Sequence, residues 1–170
     1  SYARNDVVPT AHPLVVGPIG RAGAPEAKAL LQAADLILAA GTRLAQFTTF
    51  YDHSVIPAGV PIVQIEIDPQ EIGRNYPTEL GIIGDIREVL RQLCELAERA
   101  GPKRERTGWH EQVEAWKSEW SNFIEPEKAS DAVPIDPRRA IGELRKAAPD
   151  NTLMITDTGN HQTWVEQYWD

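Results

Sequence analysis

The sequence holds one cysteine in 170 residues, Cys94. An internal disulfide is therefore impossible, and a reducing compartment is implied. Cys94 falls in an apolar-periodic helical stretch, where a lone thiol serves as a small buried hydrophobe. No apolar run approaches the ~20 residues that span a bilayer, and Ser1-Tyr2-Ala3-Arg4-Asn5-Asp6 lacks the basic-then-apolar order of a signal peptide. A cytoplasmic location, away from any membrane, is the expectation. Net charge is −8 and no Lys/Arg cluster is long enough to follow a phosphate backbone, which speaks against nucleic acid as a partner. His12, His53, His110 and His161 share no metal-ligand spacing with one another or with Cys94, so no metal centre is expected within the chain. A nucleophile elbow is also missing. Gly17, Gly20 and Gly23 lack the spacing and the preceding strand of a dinucleotide fingerprint.

What is present is helix–strand alternation. The first 25 residues carry too many Pro and Gly for a long element. Residues 25–34 are strong helix formers with Pro25 in the first turn. The run 36–40 is continuously apolar and closed by Gly41, the pattern of a parallel strand buried on both faces. A second strand, 61–67, is stopped by Asp68-Pro69, and a third is expected at 81–84. Asp85 then caps a helix whose Ile86, Val89, Leu90, Leu93, Leu96 and Ala97 share one face, ended by Gly101-Pro102. This order predicts an α/β fold with a doubly wound, mostly parallel, Rossmann-like sheet.

Past Gly101 the composition changes. Lys103-Arg104-Glu105-Arg106 leads into Trp109, Val113, Trp116 and Trp120 at helical spacing, a helix that docks on a neighbouring domain or subunit, with ligand stacking as the second reading. A polar linker is expected over 125–133, then a helix carrying Ile141, Leu144 and Ala148, then a final strand, 153–156. The predicted organisation is a nucleotide-binding-like domain truncated at its start (1–101), a Trp-rich helical connector (102–133), and the strand–helix beginning of a second α/β domain (134–170).

In an open α/β sheet, ligands lie beyond the carboxyl ends of the strands. Four segments fall there: Gly41-Thr42-Arg43, Asp68 to Gly73, Gly84-Asp85, and Asp157 to Gln162. Glu66, Asp68 or Asp85 suits a ribose hydroxyl. Asp85 equally suits a helix cap, and Asp68 an Asx-Pro turn. Arg43 suits stacking on an adenine or flavin ring, pairing with phosphate, or a surface ion pair.

Taken in order, five segments resemble the acetolactate-synthase-like family of thiamine-diphosphate enzymes. They are His12 to Gly20, Ala34 to Arg43, Val63 to Gly73, Ile83-Gly84-Asp85, and Thr156 to Trp164. The Pro-Leu-x-x-Gly-Pro-Ile-Gly wording at 13–20 is similar to the sister sulfoacetaldehyde acetyltransferase branch. The resemblance implies a three-domain parent that uses thiamine diphosphate and Mg on a 2-oxo acid or aldehyde, assembled with a second subunit. It implies that Gly159, Asn160, His161 and Gln162 hold the diphosphate tail of the cofactor; the alternative there is an Asx-Gly turn with a surface histidine. It further implies that Gly41, Arg43, Asp68, Ile72 and Asp85 stand where some members touch FAD. Leu44-Ala45-Gln46-Phe47 replaces the acidic loop of those members, which speaks against FAD. The family's catalytic Glu and its metal-binding Gly-Asp-Gly…Asn segment are not found here, so the expectation is an inert fragment of such an enzyme. The rival expectations are a free-standing FAD-, NAD- or ADP-binding domain, and a non-catalytic interaction module docking through its tryptophans.

Overall fold

The computed structural model describes residues 7–10, 12–101 and 106–169. The segment 1–6, Pro102 and residues 103–105, to which the sequence attaches expectations, lie outside them. The chain divides into two compact units, one grouping Ser1–Ala29 with His110–Asp170 and the other Leu30–Trp109.

The second unit holds the sheet. Strands β1 (Ile37–Ala40), β2 (Ile62–Glu66) and β3 (Leu80–Ile83) are parallel in the order β1-β2-β3, with Ile37 opposite Ile62 and Val63 opposite Leu80. They fall on the runs that the sequence marks, the third one residue earlier than expected; β1 is covered on one face only, not on both as expected, because Leu38 and Ala40 are exposed. Because successive side chains alternate between faces, Ile37, Ala39 and Ile62 share one side. There they form a core with Leu44, Val55, Ile56 and Tyr76, and Leu31, Ala34 and Val60 pack at its margin. Gln32 fastens the adjoining loop by donating to the Ser54 carbonyl at 2.9 Å. Two short elements were not foreseen: helix α2 (Gln46–Thr49) and a 3-10 turn at Pro69–Glu71.

Helix α3 (Ile86–Ala100) returns from β3 and contacts β2. Its apolar stripe is the expected one, but none of its residues is buried. Cys94 is exposed, contrary to the expectation of a buried thiol. Cys94 lies one turn beyond Leu90 at the edge of the apolar stripe, and since even Leu90 and Leu93 stay exposed, nothing in the described structure covers the thiol.

The first unit is helical among its described residues. Helix α1 (Pro25–Ala33) starts in it and runs into the second unit; α4 (Thr107–Lys128), α5 (Pro137–Ala147) and α6 (Asn160–Tyr168) follow. Helix α4 takes Pro126 into its last turn and ends at Lys128, so the expected linker from 125 begins later. The expected strand at 153–156 does not form: no neighbouring strand is described for it to pair with, and Leu153 and Ile155 are each 82% exposed. An alternating pattern makes a strand only where a second backbone satisfies its polar groups.

Helices α4, α5 and α6 are tied by one polar chain. The Tyr168 hydroxyl and the Arg138 guanidinium both donate to Glu127, and Arg138 also donates to both oxygens of Asp136, at 2.9 and 2.6 Å. The guanidinium holds the Asp136 carboxyl down at about 2. Burial, with the bond to Glu127, pushes the Tyr168 hydroxyl up to about 12. Val113, Ile124 and Tyr168 are buried in the same unit, and Trp120 stacks on Phe123 with ring centres 5.5 Å apart.

Glu26 stands outside this polar chain. It is 7% exposed, and its Oε2 is buried without a hydrogen-bond partner. Burial pushes its carboxyl up to about 7 from an ordinary 4.5. Between those values the folded chain keeps a proton that the unfolded chain has lost, so stability falls as pH rises through that window and is level above it. Glu26→Gln should abolish this slope and stabilise the chain near pH 8 by about 2–3 kcal/mol. Urea denaturation from pH 4.5 to 8 checks it, and an unchanged slope in the variant would contradict it.

Candidate functional site

The strand-end loops of the sheet meet around one buried amide. Gln64, in the middle of β2, is 2% exposed. Its Nε2 donates to the Thr42 carbonyl (3.3 Å) and the Glu71 carbonyl (3.1 Å), while its Oε1 accepts from the Gly73 N–H (2.9 Å) and the Thr78 hydroxyl (3.3 Å). One side chain thus uses its full donor and acceptor capacity to hold the loop after β1 against the loop after β2. Sequence reasoning missed this role. Its signal is a lone amide between Val63 and Ile65 in a β-branched run, where a buried polar group must be satisfied.

Gly41 begins the first loop at φ +61°, a left-handed conformation that favours glycine, and its N–H extends the sheet by donating to Ile65 O at 2.9 Å. Arg43 is largely exposed; its guanidinium lies 3.9 Å from Glu71, and its carbonyl accepts from Asn75 Nδ2 at 2.8 Å. Glu71, buried and also unforeseen, pairs more closely with Arg74 at 2.7 Å. Asp68 turns its Oδ1 to the Gln70 N–H at 3.0 Å, the Asx-turn geometry that opens the 3-10 turn. Ile72 lies over β3 so closely that a Cβ on Gly81 would come within 2.5 Å of it. Asp85 caps α3 by accepting from the N–H groups of Arg87 and Glu88, at 2.9 and 3.2 Å. Gly41, Arg43, Asp68 and Ile72 are therefore drawn into one loop cluster, while the carboxylates of Asp68 and Asp85 already serve local backbone.

The loop beyond Arg43 is strained. Leu44, Phe50 and Tyr51 have φ of +49°, +54° and +56°, a region costing about 1–2 kcal/mol for side chains such as these. Phe47, Phe50 and Tyr51 stand roughly half exposed around α2.

The second expected site lies in the first unit. Asp157 Oδ1 accepts from the Thr158 N–H at 2.6 Å, Gly159 precedes α6, and no side chain caps that helix. The first N–H groups of α6 consequently have no acceptor within the helix. A Cβ on Gly159 would come within 2.7 Å of the His161 ring, so the imidazole is folded back against the glycine. Gln162 donates from its backbone to Gly159 O (3.2 Å) and from its side chain to Glu166 (3.0 Å), and Asn160 and His161 are exposed. Uncapped N–H groups, an absent side chain and a nearby imidazole suit a phosphate group. No group of three His, Cys, Asp or Glu among the described residues could hold a metal ion, and no described helix is long and apolar enough to cross a membrane.

Residues 1–93 match the family model of the thiamine pyrophosphate enzyme central domain. The chain belongs to that family. It is 32% identical to a sulfoacetaldehyde acetyltransferase of Castellaniella defragrans, covering 99% of the chain and 31% of the relative. A sulfoacetaldehyde acetyltransferase of Roseovarius nubinhibens is likewise 32% identical over 94% of the chain, 29% of its own length. An acetolactate synthase large subunit of Parasynechococcus marenigrum is 29% identical over 91% of the chain, 24% of its own length. The chain thus spans about a third or less of the curated relatives it matches. The parallel α/β architecture agrees with membership of this family.

Gln64→Leu leaves two carbonyls, one N–H and one hydroxyl without their partner in a buried setting. It should destabilise the sheet unit by about 2–4 kcal/mol. Denaturant unfolding followed by circular dichroism measures this, and a loss within experimental error of zero would contradict the role given to Gln64.

Proposed function

We propose that this chain is the central segment, plus the start of the diphosphate-binding part, of a longer thiamine-diphosphate-dependent transferase or lyase. The parent would act on a 2-oxo acid or aldehyde, with decarboxylation, carboligation or acetyl transfer as the reaction. The observation that carries the reading is the uncapped start of α6, with Gly159 against the His161 ring, in a chain of this family.

In this reading the N–H groups of Asn160 and His161 receive the terminal phosphate, assisted by the α6 dipole. The His161 imidazole adds a donor, and Gln162, tied to Glu166, keeps the first turn in shape. Glycine at 159 lets backbone come close to the ligand, since any side chain there would displace the imidazole. When bound, thiamine diphosphate would supply the electron sink for breaking a bond next to a carbonyl, and this chain's part would be to hold its terminal phosphate at the start of α6. The loop cluster at Gly41, Arg43, Asp68, Ile72 and Asp85 is where a nucleotide would lie; an FAD or ADP group there would meet the Arg43 guanidinium. The expected partners are the rest of the same enzyme and a second subunit, in a cytoplasmic setting.

The test is calorimetric titration of thiamine diphosphate, with magnesium, into the longer protein carrying this chain. Gly159→Val and His161→Ala should each weaken binding by roughly tenfold, about 1.4 kcal/mol. Unchanged affinity in both variants would remove the diphosphate from this site.

A further inference from the structure

We propose that Glu26, Trp116, Glu119, Trp120 and Phe123 form a second binding site, selective for a small organic cation with an apolar body. Pro25, Glu26 and Ala29 from the start of α1, and Trp116, Glu119, Trp120 and Phe123 from α4, line a cavity of about 370 Å³, all within the first unit. That volume is in the range of small-ligand sites. The α4 residues recur at intervals of three and four, so one face of the helix supplies three aromatic rings and a carboxylate.

Three observations fix the chemistry. Glu26 is 7% exposed and lines the cavity, and its Oε2 is buried without a hydrogen-bond donor. A buried carboxylate oxygen without a donor destabilises the fold unless a ligand supplies one. The lining contains two carboxylates and no basic side chain, so its charge is complementary to a cation. Trp116, Trp120 and Phe123 line the cavity with aromatic rings, Trp120 and Phe123 lying 5.5 Å apart, and aromatic rings attract an ammonium group through their quadrupoles. An ammonium donating to Glu26, with its apolar body against the indoles, satisfies all three features. The site is independent of the thiamine diphosphate reading, because none of its residues belongs to the 159–162 segment or to the strand-end loops.

The experiment is titration of the full chain at pH 8 with phenethylammonium and with its neutral counterpart 2-phenylethanol, followed by NMR of the indole N–H groups. The site predicts saturable shifts at Trp116 and Trp120 with the amine, and binding at least about tenfold weaker for the alcohol. Glu26→Gln should lower the amine's affinity by roughly tenfold and leave that of the alcohol within about twofold. Trp120→Ala should weaken both. The Glu26 variant removes an unpartnered buried charge and is expected to fold at least as well as the parent chain, so lost binding cannot be ascribed to unfolding. Equal affinity for amine and alcohol, or no indole shift with either, overturns the proposal. Preferential binding of N-acetyl-argininamide also overturns it, marking a socket for a side chain of another polypeptide.

Discussion

The hydrogen bonds of the Gln64 amide are the constraint on which the sheet unit depends. The interior of β2 is otherwise apolar, and a side chain there with two donors and two acceptors is tolerated only if each meets a partner. The partners come from the loop after β1, the segment after β2, and Thr78 on the approach to β3. The same four bonds therefore fix the strand-end loops, and with them the positions of Gly41, Arg43, Asp68 and Ile72. Hydrophobic packing of Ile37, Ile56 and Ile62 drives the sheet together; the amide decides how its carboxyl edge is arranged.

The first unit solves the equivalent problem with ions. Glu127 receives Tyr168 and Arg138, and Arg138 in turn grips the residue that caps α5. Ends of three helices are held by groups that would each be costly to bury alone. Glu26 stands outside that network, with its Oε2 buried and without a donor, and it lines one cavity together with aromatic residues of α4.

How far the sequence discloses this depends on how local each interaction is. Asp85 is legible as a cap because the N–H groups that donate to it lie two and three residues away, and the first two strands are legible as short apolar runs closed by Gly41 or Asp68-Pro69. The role of Gln64 is not legible, since its partner Thr42 is 22 residues away and periodicity says only which face a side chain takes. The expected strand at 153–156 shows the same limit: alternation marks a chain able to pair but cannot supply the neighbour. The exposure of Cys94 has the same origin, because the apolar stripe beside it on α3 has no described element covering it. At the sites, the glycine positions follow from sequence, whereas the fold of the His161 imidazole against Gly159 and the pairing of buried Glu71 with exposed Arg74 required the structure.

Membership of the thiamine pyrophosphate enzyme family and the uncapped α6 start support the proposal that this chain supplies scaffold and a phosphate cradle to a larger enzyme whose other parts move the protons. The most direct measurement is turnover of a panel of 2-oxo acids and aldehydes by the protein whose coding sequence contains this chain, with and without thiamine diphosphate and magnesium. The account predicts turnover of at least one of them that requires both and is lost when the cofactor is removed by dialysis. Turnover indifferent to the cofactor, or no binding of thiamine diphosphate by that protein, would contradict it.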